Sequence, residues 1–289
     1  RQVALGSGMQ QTSFGYVVNQ VCGSGMRATI DGSSKIYSGE SNLLIVGGQE
    51  SMSRARHAYL SRTGEKKLGN NIFIDTLVND GLTDAFSKEH MGITAENVSR
   101  KYNVTRQDQD QFAYQSYLKT YKAIKNNYFK NELTKTPFKD EVRKDTTLPK
   151  LSQLKAVFKK SGTVTAGNAS SLNDGASFLA LASEKYVTSN KIKPIAKVLS
   201  WASSAGNPDY MGVTPITAIQ KLMKKMSVNI NYFNLVEVNE AFAATSVAVQ
   251  RSLKIDPSKL NIAGGAIALG HPIGCSGARI ITTLSHQLR

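Results

Sequence analysis

Apolar and polar positions along the chain change period several times, and each change marks an element. Phe14–Val21 reads as a strand running into Cys22-Gly23-Ser24-Gly25, after which Met26, Ile30, Ile36 and Tyr37 recur at roughly helical spacing. A second strand is expected at Leu43–Val46, between Gly39 and Gly47-Gly48, so that the opening segment predicts a βαβ unit. Residues 49–88 show no sustained period and read as a long excursion, a length at which loops are usually functional. Thr105 with Asp108 three residues on has the form of a helix start, and Phe112, Ala113, Tyr117, Tyr121, Ile124 and Tyr128 continue it as one apolar stripe. Strands are then expected at Ala176–Ala182 and Ile195–Trp201, and a helix at Pro215–Met226. The opening theme returns in the strand Leu235–Val238, a small-residue helix over 241–253, the turn Asn261–Gly265 and a last helix from Ser276. This alternation predicts an α/β fold with mostly parallel strands, and the two strand–turn–helix units suggest two similar halves.

Length and composition narrow the class. A chain of 289 residues with 40% hydrophobic content can bury one large or two ordinary cores. No stretch approaches the roughly 20 apolar residues of a membrane-spanning helix, so no membrane association is expected. Cys22 and Cys275 lie far apart with no Cys/His cluster around them, which argues against a disulfide framework and a structural metal site and favours a reducing compartment, the cytoplasm by default. The sequence opens on Arg1 without a signal-like apolar core, and Ser285–Arg289 stops within a helical pattern, so both terminal parts are expected to be missing from it. The net charge of +15 is uneven: Lys119–Lys160 carries 12 Lys/Arg against 4 Asp/Glu. Such a segment attracts polyanions, either nucleic acid or a phosphate-bearing small molecule, although a solvated basic face is an equally good account of charge alone.

Three turns carry candidate chemistry. Cys22 stands where a strand meets a helix, framed by Gly23 and Gly25, a position where backbone N–H groups and the helix dipole lower a thiol's pKa and can hold an oxyanion. An inert buried thiol is the commoner state of a lone cysteine. His271 lies in Gly270-His271-Pro272-Ile273-Gly274, where proline and glycine fix a side chain's direction, and a thiolate needs such a base. Asn239 ends a strand, either as a helix N-cap or as an amide that orients a water toward a carbonyl oxygen. Cys275 reads as a small side chain that fits a glycine turn.

Taken together these turns resemble the thiolase family. Asn19–Gly25 is similar to its nucleophile motif, Val238–Ala243 to its asparagine motif and Gly264–Gly274 to its histidine motif. Intervening stretches agree: Gly47–Ser53, Asp80–Asp84, His90–Asn97 and Gly162–Ser170. The resemblance implies an αβαβα layered fold of two βαβαβαββ halves. Residues 1–48 and 166–195 would form the first half, 49–165 an inserted loop domain binding coenzyme A, and 196–289 the second half. It implies that Cys22 accepts the acyl group, that His271 activates it and helps bind the thioester oxygen, and that Asn239 holds a water completing that oxyanion hole. His90 and Met91 look like the pair that limits acyl length in the family's short-chain, acetoacetyl-CoA branch. Leu82, Arg143, Ala166, Ser170 and Phe242 match positions facing the substrate or coenzyme A. The basic segment would then face the nucleotide end of coenzyme A. No cofactor or metal is implied, only acetyl-CoA, acetoacetyl-CoA and coenzyme A as small-molecule partners, with a homodimer or homotetramer as the assembly.

Two departures stand out. Family members carry a second catalytic cysteine in a C-terminal Cys-x-Gly-Gly-Gly type segment that this sequence does not reach, and Lys144 stands where proline is usual. The stretch between Lys130 and Asp140 also looks shorter than the family's. Competing expectations are a 3-ketoacyl-CoA thiolase of broader chain length, a decarboxylating ketoacyl synthase, a non-catalytic acyl-CoA-binding homologue and a basic nucleic-acid binder. The synthase uses a second histidine where Asn239 stands, and the basic turns have few aromatic residues for stacking on bases, so nucleic acid is not expected as a partner.

Overall fold

The computed structural model of the chain describes residues 1–59, 68–134 and 140–289. Part of the expected excursion, and part of the expected shortening before Asp140, lie outside the described residues. The fold is mixed α/β. Its main ladder pairs Leu43–Ser51 with Asp174–Ala182 along nine residues each, antiparallel, from Leu43 opposite Ala182 to Ser51 opposite Asp174. The chain therefore leaves this ladder after Ser51 and returns beside its point of departure at Asp174. Within the excursion a two-residue antiparallel pair joins His57–Ala58 to Ile74–Asp75, and a helical turn follows at Leu77–Leu82.

The expectation of mostly parallel strands is corrected: both ladders among the described residues are antiparallel, and the one parallel contact is a single bridge between Val236 and Leu260. Phe14–Val21 has no ladder partner among the described residues, ends in a helical turn that begins at Val21, and leaves Val17 88% exposed, so the predicted βαβ unit lacks its first paired strand. Ile195–Trp201 is likewise unpaired, and Leu235–Val238 is reduced to the one bridge. Alternating apolar residues permit a strand, but a strand exists only where another backbone meets its N–H and C=O groups.

Helices follow the sequence closely. They span Ser24–Tyr37, Arg106–Lys125, Thr214–Met226, Ala243–Leu253 and Ser276–Gln287, with a further one at Met91–Lys101. Thr105 and Asp108 form the full reciprocal cap: the Asp108 N–H donates to Thr105 Oγ1 at 3.1 Å, and the Thr105 N–H to Asp108 Oδ2 at 2.9 Å. The face this long helix buries matches its apolar stripe only in part, at Ala113 and Tyr117. Tyr121, Ile124 and Tyr128 are exposed, whereas Gln109, Asp110, Ala113, Ser116, Thr120 and Ala123 are buried. That face meets backbone turns as well as side chains: Gln109 Nε2 donates to the Val104 carbonyl at 3.4 Å, and Ser116 Oγ accepts the Gly265 N–H at 3.1 Å.

The helix Ala243–Leu253 is buried on nearly every side, as expected for one made of small and apolar residues. It packs between the long helix, the helix Met91–Lys101 and the cluster of Leu253, Ile255 and Leu260. The helices that follow Cys22 and Cys275 cross at their first turns. A Cβ built on Gly25 would stand 2.6 Å from the Ala278 nitrogen, and one on Gly277 2.3 Å from the Met26 nitrogen. Only glycine at both positions lets the two helix N-termini approach this closely.

Candidate active site

Cys22 occupies the one-turn helix Val21–Gly23, directly ahead of the helix Ser24–Tyr37. Its turn is locked from both sides. The Val21 N–H donates to Asn19 Oδ1 at 3.0 Å, the Gln20 N–H to Ser24 Oγ at 2.9 Å, and Ser24 Oγ–H to the Val21 carbonyl at 2.7 Å. Val21 is held at φ 48°, a strained conformation for a β-branched residue.

His271 arrives from the other end of the sequence, and its Nε2 lies 3.1 Å from Cys22 Sγ. Its Nδ1 lies 2.5 Å from Ser276 Oγ, which itself donates to the Pro272 carbonyl at 3.0 Å. With the serine proton spent on that carbonyl, Oγ is left to accept from Nδ1–H, so Nε2 carries the lone pair that can receive the thiol proton. Asn239 completes the cluster, its Nδ2 3.3 Å from His271 Nε2, while its Oδ1 is buried without a hydrogen-bond partner. Asn239 is not a helix N-cap, because the helix begins at Ala243 and Phe242 holds that position.

The electrostatics correct the expectation for the thiol. Burial pushes Cys22 up to about 11; the backbone N–H at its turn pulls downward as expected of a helix start, but by less, and the carboxylate of Glu50 adds to the rise. Burial likewise pushes His271 down to about 4, with the charge of Arg279 acting in the same direction. The resting pair is therefore a neutral thiol beside a neutral imidazole. Thiolate ultraviolet absorbance attributable to Cys22, taken as wild type minus Cys22→Ala, is expected to be negligible at neutral pH and to rise only toward pH 11. A difference already full at neutral pH would instead reveal a resting thiolate–imidazolium pair.

The remaining candidate residues contact one another and the turns that carry this cluster. His90 stacks on Phe158 with ring centroids 4.6 Å apart, and Phe158 meets Phe242 edge-on at 6.2 Å. His90 Nδ1 accepts from the Gly92 N–H at 2.9 Å, which anchors the start of the helix that carries Met91. Ser170 bonds the Ala241 carbonyl through both its N–H and its Oγ–H, each at 3.0 Å, joining the Gly162–Ser170 stretch to the asparagine turn. Arg143 Nη1 reaches the Ala166 carbonyl at 3.5 Å, and the turn ending at Leu82 packs through Gly81 against Ile273 of the histidine turn. Cys275 is buried at the start of the last helix, outside the cysteine–histidine contact.

Sequence reading missed three residues here. Ser276 has a weak signal, a hydroxyl five residues after His271 in a glycine turn. Phe158 and Glu240 had none beyond their place within or beside motifs. Among the described residues no group of three or more His, Cys, Asp or Glu could hold a metal ion, and no helix is long and apolar enough to cross a membrane.

Comparisons with known proteins agree with this geometry. The thiolase N-terminal domain model matches residues 1–185 and the thiolase C-terminal domain model residues 192–289. An acetyl-CoA acetyltransferase of Rhizobium meliloti is 44% identical over 302 residues, spanning 100% of this chain and 76% of that protein. Another, of Shinella zoogloeoides, is 44% identical over 301 residues with the same coverage. Human mitochondrial 3-ketoacyl-CoA thiolase, solved in complex with CoA, superposes with a TM-score of 0.96 at 39% identity, covering 100% of this chain and 75% of that one. The acetyl-CoA acetyltransferase of Bacillus anthracis gives 0.94 at 37% identity, with 100% and 76% covered. With the two family domains matched over residues 1–185 and 192–289 and the thiolase fold reproduced around a cysteine–histidine–asparagine cluster, this chain belongs to the thiolase family.

Proposed function

We propose that this thiolase is an acetyl-CoA C-acetyltransferase, joining two acetyl-CoA molecules into acetoacetyl-CoA and free coenzyme A and running the reverse thiolysis. The observation that carries the reading is the 3.1 Å contact between Cys22 Sγ and His271 Nε2, with Asn239 beside them. The Cys22 proton passes to Nε2 as sulfur attacks the acetyl carbonyl, and the C–S bond to coenzyme A breaks, leaving acetyl-Cys22 and a coenzyme A thiolate that takes up a proton from solvent. A second acetyl-CoA loses an α-proton to a base, and its carbanion attacks the acetyl-enzyme, releasing the Cys22 sulfur. The charge on the second thioester's oxygen is met by protonated Nε2–H and by a water held on Asn239, whose unpartnered Oδ1 suits that task.

A short acyl group fits the aromatic wall of His90, Phe158 and Phe242 with Met91 beside it. Leu82, Arg143, Ala166 and Ser170 would line the approach of coenzyme A, and the basic stretch from Lys119 would face its phosphates. Coenzyme A enters as part of the substrate, so the chemistry calls for no separate cofactor. A homodimer or homotetramer carries over from the family resemblance, and two unpaired cysteines suit a reducing compartment such as the cytoplasm.

Incubation with acetyl-CoA should add one acetyl group to the protein by intact mass, mapped to the peptide containing Cys22. Butanoyl- and octanoyl-CoA should acylate it about tenfold more slowly or worse, as expected when added methylenes meet a closed wall. Equal acylation across that series would favour a broader 3-ketoacyl-CoA thiolase.

A further inference from the structure

Asn239 is positioned almost entirely from outside itself. Its amide contacts only His271 among the described residues, and its Oδ1 has no partner, so the backbone on either side must set its direction. On one side Asn261 clamps Val238, accepting its N–H at 2.8 Å and donating to its carbonyl at 2.9 Å. On the other side stands Glu240, a carboxylate that is 1% exposed and has no ion-pair partner among the described residues.

Three neutral donors converge on that carboxylate. Asn261 Nδ2 donates to Oε1 at 2.8 Å, while Ser116 Oγ–H and the Ile267 N–H donate to Oε2 at 2.6 and 3.3 Å. Each donor comes from a different part of the site. Asn261 holds the strand that ends at Asn239. Ser116 lies on the long helix and also accepts the Gly265 N–H at 3.1 Å. Ile267 lies in the single helical turn Ala266–Leu269 that leads into Gly270 and His271. The backbone at Gly265 comes so close that a Cβ there would stand 2.3 Å from the Glu240 carboxyl carbon.

We propose that Glu240 is a positioning residue for the acyl-transfer chemistry: its carboxylate ties the Asn239 turn and the His271 turn to one another and to the long helix, so that both side chains meet Cys22 in fixed register. This inference rests on the acetyltransferase reading and adds a residue to it. A buried carboxylate without a cation is a poor source of stability, since apolar residues of similar volume fill such a site at lower cost. What it supplies instead is three directional contacts from one rigid group. Burial raises its pKa, and the three donors counter that rise.

Glu240→Gln keeps the shape and breaks the pattern, because whichever oxygen becomes an NH₂ then faces a donor, Asn261 Nδ2–H or Ile267 N–H. The test is single-turnover transfer of acetyl from acetoacetyl-CoA to Cys22, followed by mass spectrometry. In this step sulfur bonds to the 3-keto carbon, the C2–C3 bond breaks, and the departing enolate of acetyl-CoA needs the Asn239 and His271 donors before it takes up a proton. Glu240→Gln is expected to lower the saturated rate about 10- to 100-fold, with the half-saturating concentration changed less than about threefold. In an Asn239→Ala background the same change should cost severalfold less than in the wild type, because one of the two groups it positions is gone while His271 remains.

Equal losses in both backgrounds, a wild-type rate in Glu240→Gln, or an effect confined to half-saturation would each overturn the proposal. Should Glu240→Gln not fold, Ser116→Ala removes one donor and leaves the carboxylate; it should lower the saturated rate about 3- to 10-fold, and an unchanged rate would overturn the proposal. If the wild-type chain itself takes no acetyl group, the acetyltransferase reading fails instead. Iodoacetamide alkylation of Cys22 between about pH 7 and 10 then decides on Glu240, with a rate change of about threefold or more expected in Glu240→Gln and an unchanged profile counting against it.

Discussion

Cys22→Ala is expected to lower kcat for acetoacetyl-CoA thiolysis by about 10⁴-fold or more, while the protein keeps its fold and its affinity for coenzyme A. The side chain is small and stands on a turn held by Asn19 and Ser24, so removing its sulfur leaves the hydrogen bonds around it intact. The reaction loses its covalent route, because the other cysteine, Cys275, is buried at the start of the last helix and makes no hydrogen bond to the His271 ring among the described residues. Thiolysis rates over a range of coenzyme A concentrations check this together with thermal unfolding. Acetyl-enzyme detected in the Cys22→Ala protein would remove Cys22 as the nucleophile.

The second large effect is expected at the base. His271→Ala should lower kcat by about 10³-fold or more, and the Cys22→Ala/His271→Ala double variant should be hardly worse than Cys22→Ala, since two groups acting as a unit are not additive. The pH dependence supplies the mechanism. In the resting wild type the thiol is held up near 11 and the imidazole down near 4, so neither is charged at neutral pH. Substrate attack creates the charge and uses it in the same step. Without His271 the thiol has no acceptor, so residual acylation should climb steeply with pH toward 11 as hydroxide does the deprotonation. Acylation rates measured from neutral to alkaline pH distinguish the two proteins; parallel profiles would mean that His271 is not the acceptor.

The parts of this site that could be read in the sequence are those set by local chemistry. Glycine frames at Cys22 and His271, the Thr105–Asp108 cap and the helix boundaries depend on neighbours a few residues away, and the structure has them where the pattern puts them. What depends on distant chain was not legible. Phe14–Val21 has the alternation of a strand but no ladder partner among the described residues, and Ile195–Trp201 is the same case. The apolar stripe predicts part of the long helix's buried face, yet the helix also buries Gln109, Asp110 and Ser116, whose side chains bond Thr163, Asn168 and Glu240 from elsewhere in the chain. The Cys22 thiol follows the same rule. Its helix-start contribution is local, whereas the burial that outweighs it depends on tertiary packing, which brings the His271 turn onto Cys22 from 249 positions away.

The glycine crossing of the two helices behind Cys22 and His271 has a kinetic side. The two residues are 249 positions apart, and they lie in the separately matched N-terminal and C-terminal family domains. Their contact has among the highest loop-closure costs the chain can incur, and contacts of that kind form late in folding. Reactivity of the Cys22 sulfur is thus a clock for the docking of one half on the other. During refolding, helical signal should recover first, and the thiol should acquire its sheltered, slow-reacting character only once Gly25 and Gly277 have closed on each other.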